Sequence, residues 1–408
     1  MSPASSPVHR HAMARRVVGG VALGLLGLAG CAVSSRDDGA LLYPEEDTAA
    51  RAVMGVIAAG EVSRLDQWVL RPDEYGAVVV DHRRNLLYFG GREGKLLALD
   101  LDNGRPQWER DFGGGLGGRP ILHGEDVLLV GTDDGVLHAV DLETHEDRWF
   151  YSTDGVIRNA PVVLDGVVYV ANSQNRVFAL DVRTGTWRWQ YERPQPSGFT
   201  IHGRAGVVLR PSQDVMGGNV LYTGFDDGRV VAIDTTSGEA LAIADLSSAD
   251  PEGFSDVDAT PLLDAARGRL VVATQGEGVQ SLDLEDLSAA WSFPVSGAHH
   301  VARGPGETLV VVSSLEGVVC LDADGAERWR TKMNTGSLSA PVVVNDTIFL
   351  SHAEEGLYAL DARSGQVLAV FEVGSGMSAA PVYDPEDRRL YAISNRGRLF
   401  VLRVADDV

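Results

Sequence analysis

A four-residue marker recurs along this chain about every 40 residues, and that period constrains the fold more than any other feature. It reads Leu97-Ala98-Leu99-Asp100, His138-Ala139-Val140-Asp141 and Phe178-Ala179-Leu180-Asp181. It continues as Val231-Ala232-Ile233-Asp234, Gln280-Ser281-Leu282-Asp283, Val319-Cys320-Leu321-Asp322 and Tyr358-Ala359-Leu360-Asp361. An eighth copy, Phe400-Val401-Leu402, ends in Arg403. Successive markers lie 41, 40, 53, 49, 39, 39 and 42 residues apart, with no helical periodicity between them. A period of this size built from short strands predicts propeller blades. The length of 408 residues alone allows two or three domains; the repeat makes it one.

Each repeat has the same internal order. A first strand carries Ala-Pro-Val or a variant, as at Ala160-Pro161-Val162, Thr260-Pro261-Leu262 and Ala340-Pro341-Val342. A β-branched second strand follows, such as Val167-Val168-Tyr169-Val170. A hairpin Gly precedes the marker at Gly94, Gly135, Gly228, Gly278, Gly317, Gly356 and Gly397; blade three has Asn175 there. Gly and Asn are the residues that best accept positive φ. A second turn, as at Thr184-Gly185 or Ser237-Gly238, leads to a fourth strand. Trp108, Trp149, Trp189, Trp291 and Trp329 stand at nearly one position in that strand, which predicts packing between neighbouring blades. The eighth repeat stops after three strands. The segment Glu61 to Arg71, with Trp68, reads as its missing fourth strand, which would close the ring and protect its edges. The expected fold is therefore all-β: an eight-bladed β-propeller of four-stranded antiparallel blades over 61–408.

The N-terminus reads as an address. Arg10, Arg15 and Arg16 precede an apolar run of 14 residues, Val17 to Gly30, which is short for a membrane span. Leu28-Ala29-Gly30-Cys31 resembles the lipobox of bacterial lipoproteins, which implies signal removal at 1–30 and acylation of Cys31. Several acyl chains give stable anchoring. Ala32 follows the Cys where an Asp would retain such a protein at the inner membrane, so the outer membrane is expected. Arg15-Arg16 is a weak match to a twin-arginine signal and leaves the export route open. Residues 31–60 read as a tether with a short helix over Ala49 to Ala59.

Composition excludes several classes. The formal net charge is −22, so a nucleic-acid partner, which needs a basic surface, is not expected. Only two Cys are present; with Cys31 lipidated, Cys320 lacks a disulfide partner. The pair His299-His300 and the run Asp100-Leu101-Asp102-Asn103-Gly104 hint at metal and calcium ligation. The first lacks a third ligand and the second lacks the downstream Glu of a calcium loop, so no metal and no cofactor are expected.

Leu357-Tyr358-Ala359-Leu360-Asp361-Ala362-Arg363-Ser364-Gly365-Gln366 is similar to the PQQ-like propeller repeat. Two loops narrow the resemblance. Pro196-Ser197-Gly198-Phe199-Thr200-Ile201-His202-Gly203 lies between blades three and four, and Phe254-Ser255-Asp256-Val257-Asp258-Ala259-Thr260-Pro261 opens blade five. On a lipidated eight-blade propeller this pair resembles the BamB family, lipoproteins of the outer-membrane β-barrel assembly (BAM) machinery. The resemblance implies a non-enzymatic scaffold, monomeric within the complex, on the periplasmic face of the outer membrane. It implies contact with BamA POTRA domains and other BAM components, and a role toward unfolded outer-membrane proteins. Mapped by motif, the apolar contacts are Phe199 and Ile201 and the acidic ones Asp256 and Asp258. The family's Arg falls on His202, which when neutral does not replace a guanidinium; Arg204 stands two residues on. An exposed blade edge is also expected to offer strand pairing to clients.

Two other classes share the repeat. One is a periplasmic PQQ-dependent dehydrogenase, usually longer, often with adjacent cysteines over the quinone and a carboxylate-rich calcium site. No Cys-Cys pair occurs here. The other is a propeller adaptor with a different partner, which the two loops distinguish from the BamB reading.

Overall fold

A computed structural model of the chain describes residues 53–62, 74–195, 205–212, 218–247, 256–334 and 336–405. They form eight four-stranded antiparallel sheets. Blade one comprises Ala77–Asp81, Leu86–Gly90, Lys95–Asp100 and Pro106–Asp111. Blades two to seven follow in chain order over 121–152, 162–192, 208–245, 262–293, 298–331 and 342–372. Blade eight takes three strands from 382–404 and its fourth, Met54–Glu61, from the other end of the chain. First strands touch between blades one and two and in succession from blade three to blade eight, an apolar cluster joins blades two and three, and Ala77–Asp81 touches Val382–Asp384, which closes the ring.

The strand sequences explain this layering. Second and third strands are covered on both faces by adjacent blades, so they read as continuous apolar runs; Val127–Gly131 and Val167–Asn172 are buried throughout. Fourth strands meet solvent and carry mixed polarity, as in Asp147–Ser152. The core is thus a set of clusters between blades. One joins Leu129, Leu137 and Ala139 of blade two to Val168, Val170, Phe178 and Leu180 of blade three. Each such side chain contributes about 1.5–3 kcal/mol on full burial.

The recurring Trp docks on the next blade. The Nε1–H groups of Trp149, Trp189, Trp291 and Trp329 donate to the carbonyls of Val182, Thr235, Ala323 and Ala362, at 3.0, 2.8, 3.2 and 3.0 Å. Each acceptor immediately follows the next blade's marker Asp. The ring lies flat on the turn glycine beyond: a Cβ on Gly185 would stand 2.6 Å from Trp149. Gly185 has φ +69°, so both space and backbone demand glycine. Blade one varies the theme, with Trp108 stacked on His145 at 4.3 Å. In blade four the Trp position is Ala242, the facing glycine is Leu287, buried, and Tyr222 donates to the equivalent carbonyl, Leu284, at 2.8 Å. Large-on-small has become small-on-large, with the polar bond supplied from another strand.

The marker Asp shapes the same turn. Asp181 Oδ1 accepts from the amides of Arg183 and Thr184, both at 3.1 Å, and Arg188 reaches Oδ2 at 2.8 Å. The Arg188 side chain, with Thr184 and the turn amides, holds the Asp181 carboxyl down at about 2. Asp100 likewise accepts from the amides of Asp102 and Asn103 at 3.1 and 3.0 Å, so the run that hinted at calcium is a capped hairpin.

The closing strand differs from the sequence expectation. The ladder runs Met54↔Val404 to Glu61↔Arg398, so the closing strand lies over Met54–Glu61; of the expected segment 61–71, residues 63–71 lie outside the described residues. The propeller begins seven residues before 61, and residues 54–59 are strand and not helix. Trp68 lies outside the described residues. Ala58 holds the Trp position opposite Val401, fully buried. Even the bulge before the Trp position, present in blade three between Ala179 and Leu180, recurs between Val56 and Ala58. Alanine's helix preference is weak against such burial.

Candidate partner-binding surface

In a four-stranded meander, the connections between blades and the hairpins between strands two and three share one end of the ring. Both sequence-predicted loops belong to this end. The connection from blade three leaves at Arg193, whose guanidinium meets Asp227 of blade four at 2.6 Å. Gln195 then donates to the Ser173 carbonyl at 3.1 Å. Phe199, Ile201, His202 and Arg204 lie outside the described residues, as does Cys31.

The connection re-enters at Ala205 and Val207, both buried. Between them the Gly206 amide donates to Thr260 Oγ1 at 2.9 Å, and the Gly206 carbonyl accepts from Thr223 Oγ1 at 3.1 Å. Thr260 belongs to the second predicted segment, so the residues that lead into blade four, just after the first predicted segment, rest on the second; the first segment itself, 196–203, lies outside the described residues. Val257 pins that second segment: it is fully buried against Gly224, and its amide donates to the Phe225 carbonyl at 3.3 Å. Gly224 has no room for a Cβ there, since one would stand 2.2 Å from Val257.

The two acids that flank Val257 are not equivalent. Asp258 is partly accessible, whereas Asp256 is 3% exposed. Sequence spacing alone put both on the same footing as contacts; burial separates them.

The same end carries a network that the repeat did not reveal. Arg158, which opens blade three, lies 4.6 Å from the Tyr75 ring centroid and 3.1 Å from Asp133. The Arg158 Nη2–H also donates to the Tyr75 hydroxyl at 3.1 Å. Gly117 leaves the room, since a Cβ there would stand 2.9 Å from the Tyr75 ring. These positions precede the first strands, where the repeat fixes no residue type.

His299 and His300 do not converge on a metal. The His299 ring nitrogens lie 3.0 and 2.9 Å from the Gly297 and Leu338 carbonyls. Burial, with His299 beside it, pushes His300 down to about 3, which keeps it neutral. Among the described residues, ligand atoms within 4.8 Å of one another occur at His82, Asp384 and Asp387, at the opposite end of the ring. Asp384 there is engaged by His82 at 3.0 Å and by the amides of Glu386 and Asp387. Cys320 is a free, buried thiol, which burial pushes up from its ordinary value.

These features define a closed eight-bladed propeller of PQQ-like repeats in which the second predicted segment, from Asp256 on, is packed at the junction of blades four and five. Sequence comparison gives the finer assignment. The model of the family described as outer membrane protein assembly factor BamB matches residues 92–322 and 275–406. The chain belongs to the BamB family. It is 23% identical over 328 residues to outer membrane protein assembly factor BamB of Shewanella oneidensis, covering 78% of this chain and 69% of that one. The crystal structure of BamB from Moraxella catarrhalis superposes with a TM-score of 0.70 at 20% identity, over 86% of this chain and all of that one. The quinoprotein alcohol dehydrogenase PedH of Pseudomonas putida is 28% identical over 151 residues, but these cover only 34% of this chain and 23% of the enzyme.

Proposed function

We propose that the chain is a non-enzymatic scaffold lipoprotein of the BAM complex, held at the periplasmic face of the outer membrane by acyl chains on Cys31. On this reading it binds the POTRA domains of BamA and assists delivery and insertion of β-barrel proteins. Family membership supports the reading, as does the bond from Gly206, at the start of blade four, to Thr260 of the second segment. Phe199 and Ile201 would be the apolar anchors and Asp258 the accessible charge, with His202 beside them. Asp256, being buried, would act by holding the segment in place. A few central anchors carry most of the energy in such contacts.

Affinity purification of the lipidated protein from its own membranes tests this directly. BamA should co-purify, and F199A/I201A should lower its recovery about tenfold or more. Recovery without BamA, or quinone binding with dye-linked alcohol oxidation, would overturn the scaffold reading.

Client binding has a favoured edge. The fourth strand of blade four, Ala240–Asp245, contains no Lys or Arg, and Leu241 and Ile243 are 57% and 49% exposed. The strand's one charged residue, Asp245, stands at the end and pairs with Arg229, and apolar edges without Lys or Arg invite strand addition. Photocrosslinkers along this strand should capture unfolded barrel proteins; capture from all blades equally would count against a specific edge.

A further inference from the structure

We propose that the seam closing the ring, between blades eight and one, is a proton-operated latch in which protonated His82 of blade one neutralises the buried Asp384 of blade eight. Three blades end their first strand in a buried aspartate: Asp81, Asp264 and Asp384, at 5%, 5% and 7% exposure. The first two have a permanent cation three residues on. Arg84 stands 3.1 Å from Asp81, and Arg267 stands 3.2 Å from Asp264, where Arg303 of blade six adds a second guanidinium at 3.2 Å. In blade eight the residue three on is Asp387, an acid. The cation comes instead from across the seam: His82 Nε2 lies 3.0 Å from Asp384 and 3.6 Å from Glu386. The amides of Glu386 and Asp387 bond this carboxylate but bring no charge to neutralise it. A buried charge without a counter-charge is costly, so the charge on one imidazole adds a pH-dependent part to a seam otherwise held by apolar packing.

The surrounding charges favour the proton. From blade eight, Glu386 and Asp387 face His82, while Arg389 is turned to Asp387 at 3.4 Å and to the Leu101 carbonyl at 3.2 Å. Tyr391, buried beside Asp384 and Arg389, completes that side. From blade one, Arg84 is held by Asp81, and Arg83 pairs away from the site with Glu125 at 2.6 Å. Burial opposes the charge on His82, but the hydrogen bond and charge of Asp384, with Glu386 and Asp387, outweigh it and hold His82 above its ordinary value. A raised folded-state value means that the stabilisation is complete below about pH 6.5 and fades as pH rises through the folded value.

The test is the melting temperature of the full chain in detergent from pH 5.5 to 9, beside H82Q and D387R. Wild type should exceed H82Q by about 2 °C or more at pH 6, and the gap should close above pH 8. D387R, which restores the cation three residues on, should melt above wild type at pH 8.5 and depend less on pH. A gap that stays constant with pH, or a D387R variant as pH-dependent as wild type, overturns the latch. Should H82Q not fold, the imidazole C2 proton of His82 in the native chain decides: a midpoint at or below pH 6.5 overturns it.

Discussion

At the scale of single residues, the seams work as paired choices of size. Trp149 needs Gly185 and Trp189 needs Gly238, while Ala242 faces Leu287. Trp149→Ala should cost about 3–5 kcal/mol in chemical unfolding, because it removes a buried indole and its bond to Val182. Gly185→Leu should be comparably harmful, through the clash and the positive φ. The double variant should cost less than the sum, since it rebuilds the arrangement of blades four and five; a strictly additive double-mutant cycle would refute this pairing. Cys320, 1% exposed, should stay unreactive to thiol reagents in a Cys31→Ser chain until urea unfolds it. Fast labelling of the native protein would contradict its burial. The marker Asp and the Trp were readable from sequence because each repeats within one local unit. The latch was not, because His82 and Asp384 are 302 residues apart and neither belongs to the repeat.

At the scale of elements, the strands and hairpins were legible from two local signals, short apolar β-branched runs and turn chemistry. Asn175, for instance, takes the place of the hairpin glycine and adopts φ 56°. The closing strand was displaced because Met54–Glu61 carries neither marker nor Trp. Its place is decided by pairing with Arg398–Val404, more than 300 residues away. The consequence is a sharp truncation boundary. A chain beginning at residue 53 should remain folded and monodisperse by size exclusion. One beginning at residue 63 should aggregate, because it exposes the whole edge of Arg398–Val404 and the faces of Leu399 and Val401. Equal behaviour of the two would show that the strand is dispensable. The loops that form the candidate surface were legible only as motifs. That Asp256 is inside and Asp258 only partly covered depends on Val257 filling the space left by Gly224, a contact between two blades.

At the scale of the whole molecule, the ring leaves two distinct ends. One gathers the inter-blade connections, with Arg158, Gly206 and Asp258; the other gathers the capped hairpins and the His82 seam. The composition makes sense in these terms. Part of the formal charge of −22 comes from aspartates that cap turns, such as Asp100, Asp141, Asp181, Asp234 and Asp361, so some of the acidity is a by-product of making many hairpins. One prediction belongs here: because each blade packs on its neighbours around a closed circle, denaturant should unfold the ring in one transition. Separate melting of the 77–192 and 262–372 portions, followed by site-specific fluorescence, would disprove such coupling.

The pairing of Met54 with Val404 also has a mechanical side. Any pull arriving through residues before Val53 enters the ring at the outermost strand of blade eight. That strand is held by one ladder on one side only, and its free end lies beside the chain's own C-terminal residues, where Ala405 donates to the Val53 carbonyl at 3.1 Å. Load directed along the strand shears all the rungs together, whereas load directed away from the ring peels them one by one from Met54. The protein's resistance to tension therefore depends on direction, and the weakest direction is the one that lifts its N-terminal strand off the rim.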